Sequence, residues 1–296
     1  MAAPAPYKFL PPELADRLRG LGLSVRKPVE GGLQGLHRSP HHGSSVEFAD
    51  YREYTPGDPP NRIDWAVYAR TDRHVIRRYQ EETNLRAYLL VDTSESMGFR
   101  DQGRHTKLDY ACFLAAGLMH ILISQSDAAG LTLFSDAAGR SFPPVGSLDG
   151  LRPMLLALEE AKPAGHSRID AALHRLAEQI QRRSLVILIS DLLQAPAEMI
   201  RGLQHLHHNK HEILVLQPLD AAELNLNFAG LSELRELETG ARLSVQAEEI
   251  REAYAREVQN FLDEIRRGCL DCLADYHLLD TRTPVEEALH AKFGRR

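Results

Sequence analysis

From position 86 onward, short aliphatic runs alternate with longer stretches in which apolar residues recur every three or four positions, so the chain predicts strands alternating with helices. The run 86–92 reads as a core strand. Leu108, Cys112, Ala115, Leu118, Met119 and Leu122 then mark one face of a helix, which opens at the capping-box-like Thr106-Lys107-Leu108-Asp109. A strand at 129–134 follows, and 140–145 reads as a short edge strand, because Pro143 and Pro144 cannot donate to a ladder. Helices at 148–160 and 169–182 precede an aliphatic strand at 185–191. A helix at 196–207, a strand at 212–216, a hairpin over 234–245, a long helix at 247–273 and a strand at 276–279 complete the series.

Strands that are apolar almost throughout must be covered on both faces, so the expected fold class is α/β: a doubly wound, mainly parallel, Rossmann-type sheet. The first 85 residues follow another pattern. Leu14, Leu18 and Leu21 fit a short helix over 11–23, 27–43 has no periodicity and reads as an extended loop, and 74–80 alternates like a strand leading into the core. This gives an N-terminal extension, 1–85, of irregular and β character packed on a domain at 86–296.

The extension is dense in charge. Between Glu47 and Arg86 there are seven Arg, no Lys and eight Asp or Glu. Arginine's planar fork pairs carboxylates in a way lysine cannot. Arg52, Tyr54, Asp58, Arg62, Asp64, Trp65 and Arg70 therefore read either as a docking surface for a partner or as an ion-pair lattice that pins a poorly hydrophobic segment. The whole chain carries a net charge of −6 over 296 residues, which gives no electrostatic reason to bind nucleic acid. The most apolar segment, 111–123, is interrupted by His120 and falls short of the ~20 residues that cross a bilayer. Residues 1–6 lack the charged start and apolar stretch of a secretory signal. No membrane insertion and a cytoplasmic location are expected. Cys112, Cys269 and Cys272 form an odd set unlike a disulfide framework, and Cys269 and Cys272 read as packing residues. The histidines at 37, 41, 42, 205, 207, 208 and 211 lack a metal-ligand pattern.

The candidate chemistry sits where the first core strand ends. Asp92, Ser94 and Ser96 fall at alternate positions of a turn closed by Gly98, so one carboxylate and two hydroxyls can converge as hard ligands for Mg²⁺ or Mn²⁺. Asp191 ends another strand. In doubly wound sheets ligands bind outside the carboxyl ends of strands where the order reverses, so the two aspartates are expected to face each other there.

A strand, D-x-S-x-S, a later Gly-x-Ser before a helix and a strand ending in Ser-Asp together resemble the metal-ion-dependent adhesion site of von Willebrand factor A domains. The resemblance makes Asp92, Ser94 and Ser96 the first ligand loop, Ser167 the second-loop hydroxyl and Asp191 the third-loop carboxylate. Gly165-His166-Ser167-Arg168 departs from the usual Gly-x-Thr-Asp, and Ser167 also heads a capping box, so it has two candidate roles. Upstream, Tyr51-Arg52-Glu53-Tyr54, Gly57-Asp58, Arg62-Ile63-Asp64-Trp65, Ala69-Arg70 and Tyr79-Gln80-Glu81-Glu82 are similar to the signature of a bacterial family of unknown function, numbered fifty-eight. Members are von Willebrand factor A-like in their second half and associate with MoxR-type AAA+ ATPases.

The resemblance implies a non-enzymatic, metal-dependent adaptor that works with such an ATPase in maturation or remodelling of an unknown client protein. A metal-dependent hydrolase or phosphatase using the same carboxylates is the alternative, but phosphotransfer chemistry of the haloacid dehalogenase kind needs an acid two residues after the nucleophile, where this chain has Ser94. A scaffold with an empty metal site is the third reading, for which Arg168 is the sequence argument.

Overall fold

The computed structural model describes residues 7–23, 46–55, 58, 60, 63–81, 85–136, 139–226, 228 and 230–293. The chain falls into two compact units: the described residues up to Leu23 join those from 85 onward in the larger, and those from 46 to 81 form the smaller. The extension expected over 1–85 therefore differs at its start. Helix α1 (Pro12–Arg17) belongs to the larger unit, because Phe9, Leu14, Leu18 and Leu21 are buried in its core. It is shorter than the expected 11–23. The loop expected at 27–43 lies outside the described residues.

In the smaller unit, β1 (Val46–Glu53) pairs antiparallel with β2 (Val75–Glu81), and α2 (Trp65–Thr71) lies between them in sequence. The strand expected at 74–80 to lead into the core thus belongs to a separate two-stranded ladder. Charge density hid β1, since a two-stranded ribbon needs no continuous apolar face.

The larger unit carries one sheet of six strands. In chain order they are β3 (Arg86–Asp92), β4 (Ala128–Phe134), β5 (Ser141–Val145), β6 (Leu185–Ile189), β7 (Glu212–Leu219) and, after the hairpin strands β8 (Leu231–Arg235) and β9 (Arg242–Gln246), β10 (Asp275–Asp280). The spatial order is β10-β7-β6-β3-β4-β5, parallel throughout except for β5, which runs antiparallel at the edge. The hairpin β8–β9 stays outside this sheet.

Alternation along β3 divides the core. Ala87, Leu89 and Val91 face a cluster built with α1, α3 (Lys107–Ser124), α4 (Leu148–Glu160) and, at the C-terminus, residues 285–289. Leu90 faces a second cluster with α5 (Ile169–Gln179), α6 (Pro196–His208) and the residues around Ile265 and Cys269. Both faces are covered, as a parallel sheet of aliphatic strands requires. Each fully buried Leu, Ile or Val contributes on the order of 1.5–3 kcal/mol.

Two short helices escaped the sequence pattern: α7 (Ala221–Asn225) and, after the long α8 (Ala247–Asp271), α9 (Val285–Phe293). One expectation is corrected outright. Helix α3 spans 18 residues of mean hydropathy 1.3, so by length and composition a helix apolar enough to cross a membrane is present. The apolar stretch reaches beyond 111–123, and one histidine does not interrupt it. In the fold, 78% of that helix is buried.

The chain runs from β3 to β4 on one side and then crosses back to β6 on the other. The switch point lies between β3 and β6, whose carboxyl ends carry Asp92 and Ser190-Asp191.

Candidate metal centre at the ends of the central strands

Asp92 is the last residue of β3 and is fully buried. Its Oδ1 accepts from the Ser94 backbone N–H at 2.8 Å, an Asx turn that bends the chain sharply as the strand ends. A short 3₁₀ turn, Glu95–Gly98, follows and carries Ser96 back beside Ser94, with the two hydroxyl oxygens 3.1 Å apart. A second loop clamps the first: the Glu95 N–H donates to the Gly165 carbonyl (2.9 Å) and the Ala164 N–H to that of Thr93 (2.8 Å). Gly165 has φ +72°, and a Cβ there would lie 2.0 Å from Asp136 Oδ1, so only glycine fits.

Ser167 follows that turn. Its hydroxyl donates to Asp92 Oδ2 at 2.6 Å, while α5 has Arg168 as its N-cap residue and no side-chain cap. Of its two candidate roles, the hydroxyl faces Asp92. Ser190, at the end of β6, donates to the same oxygen at 2.6 Å. Gln194 holds this wall in place by donating to the Ser167 carbonyl and accepting from the Ile169 N–H. Asp92, Ser94, Ser96, Ser167 and Asp191 are all buried in one cluster.

Burial pushes the Asp92 carboxyl up to about 6, and the neighbouring charge of Asp191 pushes in the same direction, against the hydrogen bonds from Ser167, Ser190 and the Ser94 N–H. Asp191 has a partner the sequence reading did not foresee. Lys107, the first residue of α3, is fully buried and donates to Asp191 Oδ2 at 2.8 Å and to Glu223 Oε1 at 2.5 Å. Burial alone would lower its pKa, but the charges of Asp191 and Glu223 outweigh it and hold the ammonium protonated. Burial raises the pKa of Glu223 against the opposing pull of Lys107. A lysine in a helix's first turn ordinarily reads as solvated surface. The available signal was its place in register with buried Ala111 and Leu114.

Glu223 is itself fixed. It completes a reciprocal capping box with Asp220 at the start of α7. Asp220 also accepts from the N–H groups of Asp101, Gln102 and Gly103, tying the β3–α3 connection to the β7–α7 connection. Gln217 donates to the Asp191 carbonyl at 2.6 Å and accepts from Tyr276.

The donor set fits a small, hard dication. Its atoms are oxygens, and the serines that donate protons to Asp92 keep lone pairs for an ion. Asp92, Asp191 and Glu223 supply three negative charges against one on Lys107, leaving −2 in a buried region, where unpaired charge is costly. Among the described residues no three His, Cys, Asp or Glu side chains converge to hold an ion, so hydroxyl oxygens would do much of the holding. Arg168 does not intrude: its side chain is 59% exposed and lies 3.9 Å from Asp170.

The residues read as docking or lattice residues separate in the smaller unit. Arg52 donates to Asp58 (2.7 Å) and to Thr55, and this hydrogen bond from Arg52 does most to hold the Asp58 carboxyl down at about 2. Asp64 caps α2, accepting from the N–H groups of Ala66 and Val67, and takes the Tyr51 hydroxyl on its other oxygen. Trp65 is 57% exposed, edge-on to Tyr68, which stacks on His74 at 4.4 Å; Tyr54 is half-buried beside His74. Arg70 is exposed and, among the described residues, donates to the Ala66 carbonyl one turn back. Arg62 lies outside the described residues.

Uncharacterised proteins of Mycobacterium tuberculosis and Mycobacterium bovis are each 29% identical to this chain over 276 residues, covering 92% of it and 86% of their own length. Among solved structures, the conserved hypothetical protein BatB from Bacteroides thetaiotaomicron is 14% identical, with a TM-score of 0.46 over 70% of this chain and 96% of its own. An aerotolerance-related membrane protein from Bacteroides fragilis is 15% identical, with a TM-score of 0.43 over 72% and 100%. A von Willebrand factor type A protein from Catenulispora acidiphila is 12% identical, with a TM-score of 0.43 over 75% and 45%. The cytoplasmic location expected from the sequence does not stand, because it rested on there being no helix long and apolar enough to cross a membrane, and α3 meets that length and hydropathy. The fold is α/β, with the mainly parallel six-stranded sheet described above, and a von Willebrand factor type A protein is among the structures it is similar to. With the family model matching residues 50–261, most of its length, the chain belongs to the family described as protein of unknown function DUF58.

Proposed function

We propose that this protein is a non-enzymatic interaction module whose cluster around Asp92 holds one Mg²⁺ or Mn²⁺ and captures an acidic side chain of a protein partner. The observation that carries the reading is the convergence of Ser167 and Ser190, each 2.6 Å from Asp92 Oδ2, beside the paired hydroxyls of Ser94 and Ser96 at the end of the central strand. When bound, the cation supplies an open coordination position that favours a carboxylate. Asp92 orients the two serines that donate to it, and Asp191 adds negative charge from the facing strand. Exposed Leu193, two residues beyond Asp191, offers apolar contact at the rim.

The non-enzymatic reading rests on the engagement of the candidate nucleophile. Both oxygens of Asp92 already accept hydrogen bonds, and Ser94 stands where a general acid would be needed. The family resemblance supports a MoxR-type AAA+ ATPase as partner and an unknown protein as client, with the exposed Trp65 and Arg70 as a second docking face. Capture of the ATPase by immobilised protein, with and without chelator, tests this. Asp92→Ala should abolish metal-dependent capture while leaving cooperative unfolding intact, and capture that persists unchanged in chelator sinks the metal mechanism.

A further inference from the structure

Lys107 is an expensive residue in its position. A fully buried ammonium is tolerated only when paired, and Lys107 has two carboxylates, Asp191 at 2.8 Å and Glu223 at 2.5 Å. Packing alone would be served by Met or Leu at the same position, without the desolvation cost. The ammonium instead occupies the Asp191 oxygen Oδ2, while Asp191 Oδ1 accepts from the Leu193 N–H at 3.3 Å. The third-strand carboxylate is thus already spoken for by a cation belonging to the chain.

Glu223 holds the same ammonium as a second carboxylate. It is held by the capping box of α7, and its backbone carbonyl accepts from the Tyr254 hydroxyl of α8 at 2.7 Å. It therefore pulls Lys107 from a fixed point. The charge balance of the cluster depends on how one ammonium is shared between two anchored carboxylates.

We propose that Lys107 is a resident counter-ion that competes with the divalent cation for Asp191, and that Glu223 sets the strength of this competition by drawing the ammonium away. The inference rests on the cation site proposed above and deepens it. Lys107 neutralises one of three carboxylates, Asp92 and Asp191 buried and Glu223 partly exposed, so the cluster keeps its shape without an ion and binds a dication reversibly. Lys107 is a positioning residue, since it acts through Asp191.

Calorimetric titration of the full chain with Mn²⁺ tests this in three proteins: the natural one, Lys107→Met and Glu223→Gln. Removing the ammonium should tighten Mn²⁺ binding by ~10-fold or more, since a like charge a few ångströms from the ion is lost. Removing the charge of Glu223 frees the ammonium for Asp191 and should weaken binding by about 10-fold. Both substitutions break the same buried ion pair, so mere loosening of the site would move both affinities the same way. The rise in thermal midpoint at saturating Mn²⁺ should also be larger in Lys107→Met than in the natural protein.

Affinities that move together, or that match the natural protein, overturn the role of Lys107 and leave the cation site standing. No binding in any of the three overturns the cation site as well. If Lys107→Met fails to fold, Glu223→Gln decides alone, and unchanged or tighter Mn²⁺ binding in that variant refutes the inference.

Discussion

Removing Asp220 should cost the larger unit stability through backbone groups that make no contact with Asp92. The Asp220 carboxylate caps α7 through the Ala222 N–H at 3.0 Å and accepts from three consecutive N–H groups, of Asp101, Gln102 and Gly103, at 3.0–3.1 Å. Loss of a helix cap costs about 1 kcal/mol. The three other N–H groups belong to a loop whose side chains reach solvent, so water replaces part of each bond and roughly 1 kcal/mol apiece is a fair weight. Asp220→Ala should therefore destabilise the larger unit by about 4 kcal/mol, and Asp220→Asn by about half that, since one acceptor oxygen survives. Trp65, the only tryptophan, lies in the smaller unit, so urea unfolding should be followed by far-ultraviolet circular dichroism. Burial raises the Asp220 pKa, but its four backbone donors outweigh this and leave it below the usual value. A carboxyl depressed in the folded state stabilises above its unfolded pKa of about 3.9 and loses that contribution as pH falls through the folded value. The natural protein should accordingly lose stability below about pH 4 more steeply than Asp220→Asn. A loss under 1 kcal/mol for Asp220→Ala would refute the reasoning, because it would mean the loop does not depend on this carboxylate.

The smaller unit has its own acid response: Asp58, held down at about 2 chiefly by Arg52, should keep that contact until pH falls from about 4 toward 2, with Trp65 fluorescence changing in that window and flat in Arg52→Ala. A Cβ at Gly202 would lie 2.8 Å from Leu173 Cβ, so Gly202→Ala should overpack α5 against α6 and cost ~1–3 kcal/mol in chemical denaturation. Cys112, Cys269 and Cys272 are buried, and burial raises each thiol, that of Cys269 up to about 12. Ellman's reagent should label none of the three before unfolding, and fast labelling of the native protein would contradict their packing role.

The parallel sheet was legible because its strands are aliphatic on both faces, a pattern few other folds produce. Asp92, Ser94 and Ser96 were legible because alternate positions in a tight turn converge whatever surrounds them. Ser190 was visible only as the neighbour of Asp191, since nothing local says that its hydroxyl crosses to β3. Lys107 was hidden for a stronger reason: its meaning comes from Asp191 and Glu223, 84 and 116 residues away. Helix α7 is five residues long and too short for a period, although its capping box, Asp220 to Glu223, is readable once sought. Strand β1 went unseen because it pairs in a ribbon where charged residues are tolerated, and the apolar stretch of α3, though not the helix itself, was read too short because His120 was counted as an interruption.

The edge strand β5 carries Pro143 and Pro144 opposite Gly130, where the ladder to β4 slips by a residue and a Cβ would meet the Phe142 carbonyl at 2.8 Å. Two adjacent residues without an N–H leave this border unable to template another strand in regular ladder. At high concentration or during slow refolding, sheet-to-sheet polymerisation has no foothold on this side. Replacing both prolines with Val or Thr would turn the same border into a seed for fibrils, visible as thioflavin-binding aggregates that the natural sequence does not form.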